Sequence, residues 1–139
     1  LAPFMSLIKD PEAYERYENV ILSHTVRISG ELAYENHIRH ELPEHEFLGE
    51  FVKDKLRYYP AVTREDYAVT DRITKLIETG KIFEDLGIDK LDPEHDRVMI
   101  CGSPEMLADT EALLERMGFV EGNMSHQGSY VVEKAFAER

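Results

Sequence analysis

The sequence holds a single cysteine, Cys101, among its 139 residues. One cysteine excludes an intramolecular disulfide and any zinc site built from several cysteines, and a reducing, cytoplasmic setting is expected. Long apolar runs are missing too. Segments such as Val98-Met-Ile-Cys101 fall far short of the roughly 20 residues a membrane-spanning helix needs, and no secretory leader is recognised, so no membrane is expected as a partner. Proline and glycine, at 6 and 8 residues, are not in excess; with 42% hydrophobic and 32% charged residues this argues against disorder. Basic residues are scarce: 16 Lys and Arg face 28 Asp and Glu, for a formal charge of −12. Such a surface repels phosphate backbones and anionic headgroups, which argues against nucleic acid as a partner. It leaves room for one small anionic ligand, because screening confines surface fields to about 8 to 10 Å and a few arginines gathered locally suffice.

A chain of this length buries roughly two thirds of its unfolded surface on folding, enough for one self-sufficient domain over residues 1–139. Leu1-Ala2-Pro3-Phe4-Met5 carries no initiator Met and lies inside an apolar segment, so a truncated or processed start is expected. Leu1 to Ile8 reads as a helix with Pro3 in its first turn, ended by Asp10-Pro11, and an acidic stretch with tyrosines follows from Glu12 to Glu18. Asn19 to Val26 is apolar and β-favouring, as a buried parallel strand should be. Ser29-Gly30-Glu31 then offers a cap for a helical pattern running through Tyr34 and Ile38 until Pro43. Phe47, Phe51, Val52 and Leu56 resume a helical spacing, and Leu56 to Thr63 is a second strand, in which Pro60 favours an edge or a bulge. Helices are predicted from Arg72 to Thr79, closed by Gly80, around Ile82-Phe83 before Gly87, and from Pro104 to Met117 before Gly118. Arg97 to Cys101, Phe119-Val120 and Tyr130 to Lys134 read as further strands. Alternating strands and helices predict an α/β domain with a doubly wound parallel sheet.

In an open parallel sheet, ligands bind beyond the carboxyl ends of the strands. That rule selects Val26-Arg27, Thr63-Arg64 and Cys101-Gly102-Ser103-Pro104. Arg27, Arg64 and Arg72 recur near two of these ends, and a guanidinium fork matches a phosphate with two parallel hydrogen bonds. By spacing alone, three ordinary surface arginines explain the same pattern. Gly102 permits close backbone approach and Ser103-Pro104 starts a helix whose positive end favours anions, although a structural turn explains these residues as well. His37, His40 and His45 stand among Glu35, Glu41, Glu44 and Glu46, but Pro43 interrupts the helix that would align them, so a solvated acidic surface is expected rather than a metal site.

Several segments in order along the chain resemble the C-terminal portion of the bacterial ferredoxin–NADP+ reductases. Leu1-Ala-Pro-Phe4 is similar to the end of that family's Thr-Gly-Thr-Gly-Leu-Ala-Pro-Phe pyrophosphate loop, without the glycines. Val26-Arg27 with Glu31-Leu-Ala-Tyr34, Tyr59-Pro60 with Val62-Thr63-Arg64, Arg72-Ile73-Thr74, Met99 to Ser103 with Met106, and Tyr130 with Val132 to Phe136 resemble successive family blocks. The chain continues past Ala135-Phe136 with Ala137-Glu138-Arg139, as the bacterial branch does.

The resemblance implies a flavoprotein that exchanges hydride between NADPH and FAD and passes single electrons to ferredoxin or flavodoxin. It further implies that Thr63, Arg64 and Arg72 bind the adenosine 2′-phosphate, with Arg27 nearby on the nucleotide. By the same resemblance Cys101 and Gly102 line the nicotinamide pocket. Residues 130–139 form a strand and tail reaching the flavin, with Ala135 at the isoalloxazine and Phe136 at the FAD adenine. Cys101 and Ala135 are then the residues beside the reacting rings. Asp71 stands where the family often has glycine. The FAD-binding β-barrel that precedes this portion in the family is not in the chain, so an inactive piece is expected, monomeric in full-length form and prone to self-association without its other half. Two alternatives remain at this point: the reductase of another flavoprotein in the same superfamily, and a stand-alone nucleotide-binding module.

Overall fold

The computed structural model describes residues 2–122 and 127–133. The chain divides into two units, Leu1–Ile73 and Thr74–Arg139.

The first unit opens with α1 (Ala2–Ile8) and α2 (Pro11–Arg16). Asp10-Pro11 ends the first helix as expected, and it also begins the second. The Asp10 carboxylate accepts from the Glu12 N–H at 3.0 Å, and Pro11 occupies the first helical position, where a missing N–H is tolerated. The acidic stretch after Asp10 is thus helical, and it buries Ala13 and Tyr14.

Strands β1 (Val20–Val26) and β2 (Leu56–Val62) pair in parallel, from Val20 opposite Leu56 to Val26 opposite Val62. The crossover between them is less regular than its apolar spacing predicts. It comprises a 3-10 turn at Ser29–Glu31, a π-helical turn at His37–Glu41, a 3-10 turn at Leu42–Glu44, and only then α3 (Gly49–Lys55). Pro43, at the start of the last 3-10 turn, cannot continue an α-helical hydrogen-bond ladder. Pro60 lies within β2 opposite His24. The Thr63 N–H bonds to Val26 on β1 while the Val62 N–H bonds to Val69 on the other side, so by alternation the donor that Pro60 lacks faces away from β1. Met5, Ile8, Tyr14, Leu22, Ile38, Leu42, Leu48 and Val52 form the core of this unit.

The second unit follows α4 (Ile73–Thr79), which begins at the boundary, with α5 (Lys81–Leu86), β3 (Val98–Cys101), α6 (Pro104–Arg116) and β4 (Tyr130–Glu133). Gly80 and Gly118 close α4 and α6 at φ of 81° and 95°, the left-handed conformation that a residue with a Cβ adopts only with strain. β3 and β4 are parallel, from Val98 opposite Tyr130 to Cys101 opposite Glu133. Phe119-Val120 is not a strand. Phe119 is buried in the core with Ile100, Leu107, Leu114 and Tyr130, and among the described residues of this stretch the strand-like pairing is an isolated bridge between Glu121 and Tyr130. The fold class is therefore α/β with parallel strand pairs, as expected. Among the described residues no helix is long and apolar enough to cross a membrane.

Candidate functional site

At the carboxyl ends of β1 and β2 two consecutive backbone bonds link the two segments beyond the last paired residues. The Thr63 N–H donates to the Val26 carbonyl and the Arg64 N–H to the Arg27 carbonyl, each at 2.9 Å. Arg27 and Arg64 thus leave the sheet side by side, both exposed, with Thr63 half-buried next to them. Among the described residues, the guanidinium groups of Arg27, Arg64 and Arg72 make no hydrogen bond or ion pair. In a chain with 28 acids, an adjacent pair of unneutralised cations is what an anion site requires.

The neighbouring acids are engaged with backbone instead. A Glu31 carboxylate oxygen accepts from the N–H groups of Arg27 and Ile28 at 3.1 and 3.2 Å. The Glu65 carboxylate accepts from the Ser29 N–H at 3.1 Å and from the Ser29 hydroxyl at 3.0 Å. The three successive donors after β1 are all bound by the protein's own carboxylates, so the guanidinium groups are the cationic donors left for a ligand. This arrangement was not foreseen in the sequence. Ser29 and Glu65 lie 36 positions apart, and only the register that pairs Val26 with Val62 places them equally far beyond the strand ends.

The predicted residues are not all brought together. Arg72 is exposed just before α4, and no hydrogen bond or ion pair ties its side chain to the Arg27–Arg64 pair. Cys101 and Gly102 belong to the second unit, at the end of β3. There the Ser103 hydroxyl caps α6 by accepting from the Met106 N–H at 3.3 Å. A Cβ at Gly102 would stand 2.9 Å from the Met106 sulfur, so Gly102 keeps the backbone open beside a side chain that can shift. Ala135 and Phe136 lie outside the described residues.

Two hollows of the first unit lie elsewhere. One of about 550 Å³ is lined by Lys9, His37, Glu41, His45 and Phe47 among others, and one of about 400 Å³ by residues including Arg39, Pro43, Lys53 and Tyr58. In the first hollow the His37 Nδ1 meets Glu41 at 3.0 Å, and His45 accepts from the N–H groups of Phe47 and Leu48 at 3.1 and 3.2 Å, while the His37 Nε2 is buried without a partner among the described residues. A phosphate held by projecting guanidinium groups needs no such hollow.

No protein-family model matches the chain. It is 59% identical over 137 residues to ferredoxin–NADP reductase A of Sorangium cellulosum, covering 99% of this chain and 49% of that protein. It is 51% identical over 140 residues to the ferredoxin–NADP reductase of Pseudomonas aeruginosa, covering 100% of this chain and 54% of that one. The crystal structure of a ferredoxin NADP+ reductase from Neisseria gonorrhoeae with bound FAD and NADP superposes with a TM-score of 0.80 at 33% identity, over 97% of this chain and 52% of that chain. The chain spans about half the length of the relatives it matches, and over that span its sequence and fold are similar to those of ferredoxin–NADP reductases.

Proposed function

We propose that this chain is the NADP(H)-binding part of a flavin-dependent ferredoxin or flavodoxin–NADP+ reductase, with residues 1–139 forming the nucleotide domain. The observation that carries the reading is the Arg64-to-Arg27 backbone bond, which joins two arginines with unpaired guanidinium groups at the carboxyl ends of parallel strands. Arg27, Thr63, Arg64 and Arg72 hold the adenosine end of the nucleotide. The guanidinium groups donate to the 2′-phosphate, and the Thr63 hydroxyl, whose proton meets the Val26 carbonyl at a long 3.5 Å, turns to donate to it instead. Cys101 and Gly102 lie along the nicotinamide, where a small side chain and a bare Cα admit the ring. Ala135 and Phe136, in the tail of 130–139, face FAD.

The bound pair supplies hydride transfer between the nicotinamide and the flavin, and single electrons then pass to ferredoxin or flavodoxin in the cytoplasm. No side chain of this chain has to move a proton. Its work is to bind, orient and tell NADP from NAD. FAD comes into the reading through the relatives, since Ala135 and Phe136 lie outside the described residues.

Calorimetric titration with 2′-phospho-AMP and with AMP tests the adenosine end. The 2′-phosphorylated nucleotide should bind about tenfold or more tightly, because a charge-assisted hydrogen bond contributes about 1.5–3 kcal/mol. That preference should disappear in Arg64→Ala and in Arg72→Ala. Equal affinity for the two nucleotides in the unsubstituted protein would overturn the reading.

A further inference from the structure

We propose that Glu65 is a positioning residue for 2′-phosphate recognition: by clamping Ser29 across the β1–β2 gap, it holds the two arginine-bearing loops in register and closes the Ser29 N–H to other anions. The inference rests on the proposed role of Arg27 and Arg64 as nucleotide ligands.

Glu65 follows Arg64 directly, and Ser29 lies two residues beyond Arg27. The carboxylate takes both hydrogen bonds that Ser29 offers, backbone N–H at 3.1 Å and hydroxyl at 3.0 Å. With the Arg64-to-Arg27 bond at 2.9 Å, the two loops are fastened at two levels, one at the arginine pair and one just beyond it. Glu31 closes the β1 turn from within, through the N–H groups of Arg27 and Ile28. Glu65 joins residues distant in sequence, and farther along the same two connections the Tyr67 hydroxyl donates to the Glu35 carboxylate at a longer 3.4 Å.

Two opposing effects decide the sign. As a fixed anion beside a phosphate site, Glu65 repels the ligand, and removing it would tighten binding if charge were its whole contribution. As the clamp, it limits the freedom of both arginines and occupies the Ser29 N–H, which would otherwise attract any anion without regard to a 2′-phosphate. Loss of the clamp therefore predicts weaker 2′-phospho-AMP binding and a smaller preference over AMP.

The test measures both affinities by calorimetry in the unsubstituted protein and in Glu65→Ala, Glu65→Gln, Ser29→Ala and the Ser29→Ala/Glu65→Ala pair, with thermal unfolding as the control for folding. Glu65→Ala should reduce the preference for 2′-phospho-AMP about tenfold, the order expected on losing hydrogen bonds to a charged group. Glu65→Gln should retain part of it, since its amide oxygen still accepts from Ser29. Ser29→Ala should lose less than Glu65→Ala, and the pair should be no worse than Glu65→Ala alone. If the unsubstituted protein prefers 2′-phospho-AMP and Glu65→Ala keeps or increases that preference, the clamp is overturned while the nucleotide reading stands. If the unsubstituted protein shows no preference, both fall. Should Glu65→Ala fail to fold, a full preference retained in both Ser29→Ala and Glu65→Gln overturns the clamp.

Discussion

Tyr14 joins the first two helices of the chain with one bond. Its side chain is fully buried, its hydroxyl donates to the Ile8 carbonyl at 2.6 Å, and its ring stacks on Phe51 with centroids 5.9 Å apart. Tyr14→Phe keeps the stacking and orphans the Ile8 carbonyl, and should lower unfolding stability by about 1–3 kcal/mol in urea titration. Burial also pushes the Tyr14 hydroxyl up from 10.0 to about 12. A raised value in the folded state means that the protonated form is favoured by folding. The contribution is complete below pH 10 and is lost as pH rises through about 12. The urea midpoint should fall across that window, and the fall should be shallower in Tyr14→Phe, which has no proton to release. Tyr58, raised to about 12 mainly by burial, leaves a residual slope of the same sign. At this scale the arginines were legible in the sequence, because charge and position are properties of single residues. The partners of Glu31 and Glu65 were not, because a carboxylate aimed at its own backbone looks in sequence like any other acid.

Between the strands of the first unit, helix α3 approaches the 3-10 turn Leu42–Glu44 closely enough that a Cβ at Gly49 would press on the Pro43 carbonyl oxygen and stand 3.2 Å from its carbon. The obstacle is backbone and cannot rotate away. Gly49→Ala should therefore destabilise by about 1–3 kcal/mol despite the better helix propensity of alanine, measured as a drop in Tm. In the second unit, Leu114 on α6 is fully buried against Ile100 and Phe119, and Leu114→Ala should be destabilising by about 2–5 kcal/mol in the same measurement. The strands and terminal glycines were legible because their signals are local: β-favouring runs for β1 to β4, and chain reversal for Gly80 and Gly118. The crossover from Ser29 to Leu48 was not, since its apolar residues keep a helical spacing while Pro43 and the close approach at Gly49 break the helix into short turns. The second helix was missed for a different reason. Asp10-Pro11 is a stop for one helix and a cap for the next, and the same two residues signal both.

For the whole molecule, a formal charge of −12 sets two salt dependences with opposite signs. Added salt screens self-repulsion and should raise Tm, while it should weaken 2′-phospho-AMP binding by screening the arginine contacts. The division into units adds a third expectation. The proposed phosphate ligands, Arg27 to Arg72, fall in Leu1–Ile73, whereas Cys101 and Gly102 fall in Thr74–Arg139. Cys101→Ser should leave 2′-phospho-AMP affinity unchanged and alter only the affinity for the intact dinucleotide, a split that calorimetry with both ligands resolves.

The sequence by itself determined the α/β class, the places where strands hand over to helices, and the set of candidate arginines. Each follows from the order of side chains along a short stretch of chain. Only the tertiary structure decided which candidates stand together. The parallel register of β1 on β2 carries Glu65 to Ser29 and brings Arg64 within a backbone hydrogen bond of Arg27, and a register is fixed by the packing of a whole face, which no short stretch encodes.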